Sequence, residues 1–215
     1  MISKEKALPV LRIGKHQPKY PIVQGGMGVM ISGPRLAGAV AAEGGIGTLA
    51  SVGLGVLTEG YNAKNFAERN SMMLKKFIRQ AKEAAKGGVL AVNCMCALCD
   101  YESLVKTSCE AGADIILTCS FGASPLRLKQ HGLDKIAEKI NHTAVQTAKS
   151  VTLKNTLVAG SIGPLGEMLT PYGTLNESDA IFNYSSQAKW LSDAGVDMLV
   201  IETQFDIHEA KIAVE

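Results

Sequence analysis

Asp193-Ala-Gly-Val-Asp-Met-Leu-Val-Ile-Glu202 reads as one unit: a helix end, a turn on glycine, a short apolar strand and a polar residue at its close. Glycine adopts the left-handed conformation that stops a helix, and a nearly continuous apolar run is the pattern of a strand covered on both faces. The unit recurs. It stands at Glu110-Ala-Gly-Ala-Asp114 before Ile115-Ile-Leu-Thr118, at Ala85-Lys-Gly-Gly88 before Val89-Leu-Ala-Val-Asn93, and at Ala42-Glu-Gly-Gly45 before Ile46-Gly-Thr-Leu-Ala-Ser51. Strands of this kind, reached through helices, belong to parallel sheets.

Two more strands are expected, at Pro21-Ile-Val-Gln24 and Leu157-Val-Ala-Gly160, bringing the count to six. Helix-length segments lie between them at 35–43, 65–86, 101–110, 133–150 and 177–193, the last opened by Thr174 and Glu177 as a capping box. The alternation suits a (β/α)8 TIM barrel or an open doubly wound sheet. Polar or small residues close most strands (Gln24, Ser51, Asn93, Thr118, Ser161 and Glu202), and this favours the barrel, whose chemistry sits at the carboxyl ends of its strands. Six strands are two short of closure, and the last helix, begun near Asp206, stops at Glu215 without a capping residue. The expectation is therefore an incomplete, truncated barrel whose open edges favour self-association.

Composition narrows the function. The 215 residues are 47% hydrophobic, enough for a core, and 22 Lys and Arg against 20 Asp and Glu leave a net charge of +2. With no basic run and 5% aromatic residues, nucleic acid is not an expected partner. Apolar runs are too short to cross a membrane and no signal-peptide core is visible, so a soluble cytoplasmic protein acting on a small molecule is expected. Five cysteines, an odd number, argue for reduced thiols. Cys94-Met-Cys-Ala-Leu-Cys99 invites a metal reading, but strand alternation does not aim Cys99 at the other two, and packing cysteines are favoured.

Two family resemblances follow from longer motifs. Pro21-Ile-Val-Gln-Gly-Gly-Met-Gly28, Leu36-Ala-Gly-Ala-Val-Ala-Ala-Glu-Gly-Gly-Ile-Gly47, Val89-Leu-Ala-Val-Asn93 and Asp100-Tyr-Glu-Ser-Leu-Val-Lys-Thr107 resemble the nitronate monooxygenase family, which includes flavin-dependent enoyl-acyl-carrier-protein reductases. The resemblance covers about residues 11–116 and implies an FMN-binding barrel. It implies that Gly25, Gly26 and Met27 line the flavin ring through main-chain atoms and that Asn93 hydrogen-bonds it. The family's catalytic histidine and phosphate loops have no counterpart here. His16, His131, His142 and His208 all lie away from the family's base position and read as surface or packing residues, so the catalytic residue is not identified.

The second half resembles the homocysteine S-methyltransferase family. The motifs are Asp114-Ile-Ile-Leu-Thr-Cys-Ser-Phe-Gly-Ala-Ser124, Leu128-Lys-Gln-His-Gly-Leu133, Val158-Ala-Gly-Ser-Ile-Gly-Pro-Leu-Gly-Glu167 and Val200-Ile-Glu-Thr-Gln-Phe-Asp206. This resemblance, over about residues 110–215, implies that Glu202 holds a substrate ammonium group and that Thr118 and Cys119 belong to the substrate loop, Cys119 standing where asparagine is usual. The family's zinc is held by three cysteines of later strands, which this sequence does not contain.

Together these readings give one continuous, hybrid barrel domain, nitronate-monooxygenase-like over 1–116 and methyltransferase-like over 117–215. An FMN-dependent oxidoreductase is the first expectation. A homocysteine S-methyltransferase, with zinc supplied from elsewhere, is the second, and a catalytically silent fragment the third.

Overall fold

The structure, a computed structural model, describes residues 8–95 and 100–215. Helix and strand alternate as the repeated unit requires: α1 (Pro34–Ala42), β1 (Ile46–Ala50), α2 (Phe66–Ala84), β2 (Val89–Asn93), α3 (Tyr101–Glu110) and β3 (Ile115–Leu117). Short α4 (Pro125–Lys129) then leads to α5 (Ala137–Val151), β4 (Leu157–Ile162), α6 (Glu177–Asp193), β5 (Met198–Ile201) and α7 (Ile207–Val214). The strands form one parallel sheet in the order β1-β2-β3-β4-β5. A doubly wound sheet reverses its strand order part-way, whereas a barrel adds each strand beside the last. The chain is an incomplete (β/α) barrel.

The sequence dictates the joins. Gly44, Gly87, Gly112 and Gly195, one in each repeated unit, have φ of 96°, 90°, 97° and 92°, a region that side chains disfavour. Helix α1 also lies directly on the sheet, because a Cβ at Gly47 would fall 1.8 Å from the Ala37 carbonyl oxygen. Alternation buries both faces of the sheet. Val89 and Ala91 of β2 join Ile46, Ile115, Leu117, Ala159 and Val200 on the inner face, with Ile13 of the N-terminal segment packed among them. Leu90 and Val92 point the other way, to Leu49, Ile116 and Val158 and to Leu74, Ile78 and Leu104 of the helices. Burial of each large side chain contributes roughly 2 kcal/mol.

Two aspartates pin the amino ends of the strands. Asp114 Oδ2 accepts from the Leu90 N–H at 2.9 Å and from Lys82 Nζ at 2.8 Å. Asp197 repeats the device two strands later, accepting from the Val158 N–H at 2.7 Å and from Lys149 Nζ at 3.3 Å. These contacts lie at the amino-terminal face, which in barrels serves stability, and leave the opposite face for chemistry.

Two expectations are corrected. Pro21–Gln24 does not form a full strand: Val23 makes a single parallel bridge to Ile46. The next rung is made by a side chain, because Gln24 Oε1 accepts from the Thr48 N–H at 3.2 Å and Nε2 donates to the Thr48 carbonyl at 2.9 Å. A primary amide carries the same donor and acceptor as a peptide, so it replaces the backbone while the main chain turns away into the glycines. Likewise α6 is capped by Asn176, whose Oδ1 accepts from the Asp179 N–H at 2.8 Å, while Thr174 Oγ1 donates to Glu167.

Cys94 supports the packing reading. Its thiol is buried, 3.8 Å from Ser108 Oγ, and burial pushes its pKa up to about 12. Cys96 and Cys99 lie outside the described residues. Among the described residues no helix is long and apolar enough to cross a membrane.

Candidate functional site

The carboxyl ends of the strands surround a cavity of about 380 Å³, lined in part by Gly26, Asn93, Thr118, Cys119 and Glu202. Residues from both halves of the chain therefore share one space. Gly25 and Met27 are not among the lining residues, and the Met27 side chain is half exposed. Gly28, Met95, Phe121, Gly122 and Thr203 also line the cavity without having been singled out by sequence. They follow or flank the strand-end residues that were, and that adjacency was the available signal.

Glu202 follows β5 directly, and its N–H donates to the Ile162 carbonyl at 3.0 Å, which continues the ladder with β4. Its Oε1 accepts from Ser161 Oγ at 2.5 Å. Burial raises the Glu202 pKa above the ordinary carboxylate range, and the Ser161 hydrogen bond opposes that rise. Among the described residues Glu202 has no ion-pair partner and no Lys, Arg or His lines the cavity. The next residue, Thr203, has φ of 62°. A β-branched residue in that region stores about 1–3 kcal/mol of strain, a cost tolerated mainly where geometry serves a site.

The loop after β3 is held by hydroxyls. The Thr118 N–H donates to the Ala159 carbonyl at 2.9 Å, the last backbone rung between β3 and β4. Beyond it, the Ser161 N–H donates to Thr118 Oγ1 at 3.2 Å, and Ser120 Oγ donates to the Ser161 carbonyl at 2.7 Å. Because the Ser120 proton is used there, Thr118 is the donor in the 2.7 Å contact between the two hydroxyls. The Thr118 side chain is thus committed on both sides and the residue is 1% exposed. Gln187 and Asn141 add 2.7 and 2.9 Å bonds to the Ser120 and Ala123 carbonyls, so the loop is fixed from beneath.

The glycine turn is latched in the same manner. Ser32 Oγ donates to the Gly25 carbonyl at 2.9 Å and accepts from the Met27 N–H at 2.9 Å. Asn93 Nδ2 donates to the Gly26 carbonyl at 3.2 Å, and a Cβ on Gly26 would fall 2.6 Å from the Asn93 Cβ. Asn93 therefore fastens the turn as well as facing the cavity.

The residues present fit neither implied cofactor as a whole. Gly26, Gly28 and Asn93 could wall one side of a flavin ring, but among the described residues the phosphate of FMN would meet no cationic side chain in the lining, and Glu202 adds negative charge. For zinc, no cluster of three His, Cys, Asp or Glu side chains exists among the described residues.

A model of the homocysteine S-methyltransferase family matches residues 22–215. Among solved structures the chain is similar to FabK from Thermotoga maritima, with 18% identity and a TM-score of 0.51, covering 86% of this chain and 40% of that one. It is also similar to a variant of NCR from Zymomonas mobilis, at 16% identity and a TM-score of 0.50, covering 91% of this chain and 70% of that one. The metallated homocysteine methyltransferase MmuM from Escherichia coli gives 20% identity and a TM-score of 0.49, with 78% of this chain and 56% of that one covered. The family model supports the methyltransferase resemblance read in the sequence, while FabK and NCR support the barrel fold that both resemblances imply. At these identities the structural likeness is one of fold, and the chain spans 40% of FabK and 56% of MmuM.

Proposed function

Because the chain belongs to the homocysteine S-methyltransferase family, we propose that its cavity binds homocysteine through Glu202 and orients the thiol for methyl transfer. The observation that supports this is a partly buried carboxylate in a cavity that no basic side chain of the described residues lines. A substrate ammonium would supply the missing positive charge and favour the ionised carboxylate, which burial alone disfavours. The described side chains bind and orient; they offer no metal set to activate the thiol. Since the complex needs ionised Glu202, affinity falls as pH is lowered, starting above the ordinary carboxylate range because the pKa is raised. In this reading 1–116 and 117–215 are two half barrels that share one site.

Calorimetric titration with homocysteine tests the proposal. The parent should bind, and Glu202→Gln should weaken binding by at least about thirtyfold, the usual consequence of removing one partner of a desolvated charge pair. An absence of heat in the parent, or equal affinity in the variant, contradicts it.

A second reading, a flavin-binding oxidoreductase, is favoured by Gly26, Gly28 and Asn93 lining the same cavity. Quenching of FMN fluorescence that Asn93→Ala weakens would support it. Unquenched FMN removes it.

A further inference from the structure

We propose that Ser161 is a positioning residue that fixes which oxygen of Glu202 faces the ligand, and that the hydroxyls of Thr118 and Ser120 serve to orient Ser161. This rests on the reading of Glu202 as the ammonium site. Ser161 is 1% exposed and lies inside β4, where its peptide N–H and C=O point toward β3. Strand β3 ends at Leu117, and among the described residues side chains meet those two groups instead of backbone: Thr118 Oγ1 accepts from the one and Ser120 Oγ donates to the other. The two hydroxyls stand in for a missing rung of the ladder and remove the freedom of the Ser161 peptide to tilt.

With its peptide fixed, Ser161 has one polar atom left, and its hydroxyl donates to Glu202 Oε1 at 2.5 Å. A hydroxyl bonded to one carboxylate oxygen anchors the group and leaves the other oxygen for a ligand. The same bond favours the ionised form that an ammonium requires, against the opposing effect of burial. Among the described residues no charged side chain pairs with Glu202, so the Ser161 hydroxyl is its specific polar support. Ser161 thereby links the end of β3 to the carboxylate that follows β5.

The test reads Glu202 directly and does not depend on the ligand being homocysteine. With 13C-labelled glutamate, the side-chain carboxyl carbon of Glu202, assigned by its loss in Glu202→Gln, is titrated in the intact parent chain and in Ser161→Ala. The midpoint should move upward in Ser161→Ala, and homocysteine affinity at neutral pH should fall about tenfold, as for loss of a hydrogen bond to a charged group. Ser161→Cys, which retains a weak donor of similar size, should fall between the two and serves if the alanine variant does not fold. An unchanged midpoint in the folded variant overturns the positioning role. A shifted midpoint in a chain that gives no homocysteine heat keeps that role and removes the homocysteine reading.

Discussion

Glu202 is where the demands of folding and of binding oppose each other. Burial raises its pKa above the value of a glutamate in the unfolded chain, so the folded state holds the proton more tightly. The sign follows: the contribution to stability is fully present below the unfolded pKa and is lost as pH rises through the raised folded value. At neutral pH the ionised side chain works against the fold. Glu202→Gln keeps the shape and can still accept from Ser161, so it should melt at a higher temperature than the parent at pH 7. The gap should close as pH falls into and below the ordinary glutamate range. Equal melting temperatures at neutral pH would mean that the carboxylate is better solvated than its position indicates.

Among the elements, a single rule explains both what stabilises the sheet and what the sequence concealed. Where backbone is missing, a side chain completes the ladder: the Gln24 amide on Thr48, the Thr118 and Ser120 hydroxyls on Ser161, and the Asp197 carboxylate on the Val158 N–H. Asp197→Ala should cost about 1–3 kcal/mol in urea unfolding because it orphans that N–H. Lys149→Ala should cost under about 1 kcal/mol, because its ion pair with Asp197 is more than a third exposed on both sides. Similar losses for the two variants would place the stabilisation in the ion pair instead. The strands that the glycine joins announce were legible, since left-handed turns and apolar runs are local features. So was the placement of Asn93, Thr118 and Glu202 around one space, because each directly ends or follows a strand of a parallel sheet. Pro21–Gln24 looked like a strand because its composition matches one, while the substitution of an amide for backbone depends on register with β1. The role of Ser161 was hidden for the same reason: its partners are 41 and 43 residues away.

On the scale of the whole molecule, the two faces of the sheet ends divide the work. Aspartates and the Ile13 segment secure the amino-terminal face, and the cavity occupies the other. Among the described residues the sheet ends at β5 on one side and at the single bridge of Val23 on the other. Ile22 is 56% exposed beside the Val23 edge, and Phe205 is 64% exposed just beyond the β5 edge. Unpaired strand edges flanked by apolar surface promote pairing between chains, so a second copy is the expected occupant. The sedimentation coefficient should rise with protein concentration; a constant monomer value would show that these edges are protected. Recognition in the proposed site depends on an ammonium group meeting Glu202. Its most direct measurement is calorimetry of the intact chain with homocysteine and with the same thiol acid lacking the amino group. Homocysteine should bind, with the deaminated analogue weaker by at least about thirtyfold, whereas equal affinities would show that the carboxylate takes no part in recognition.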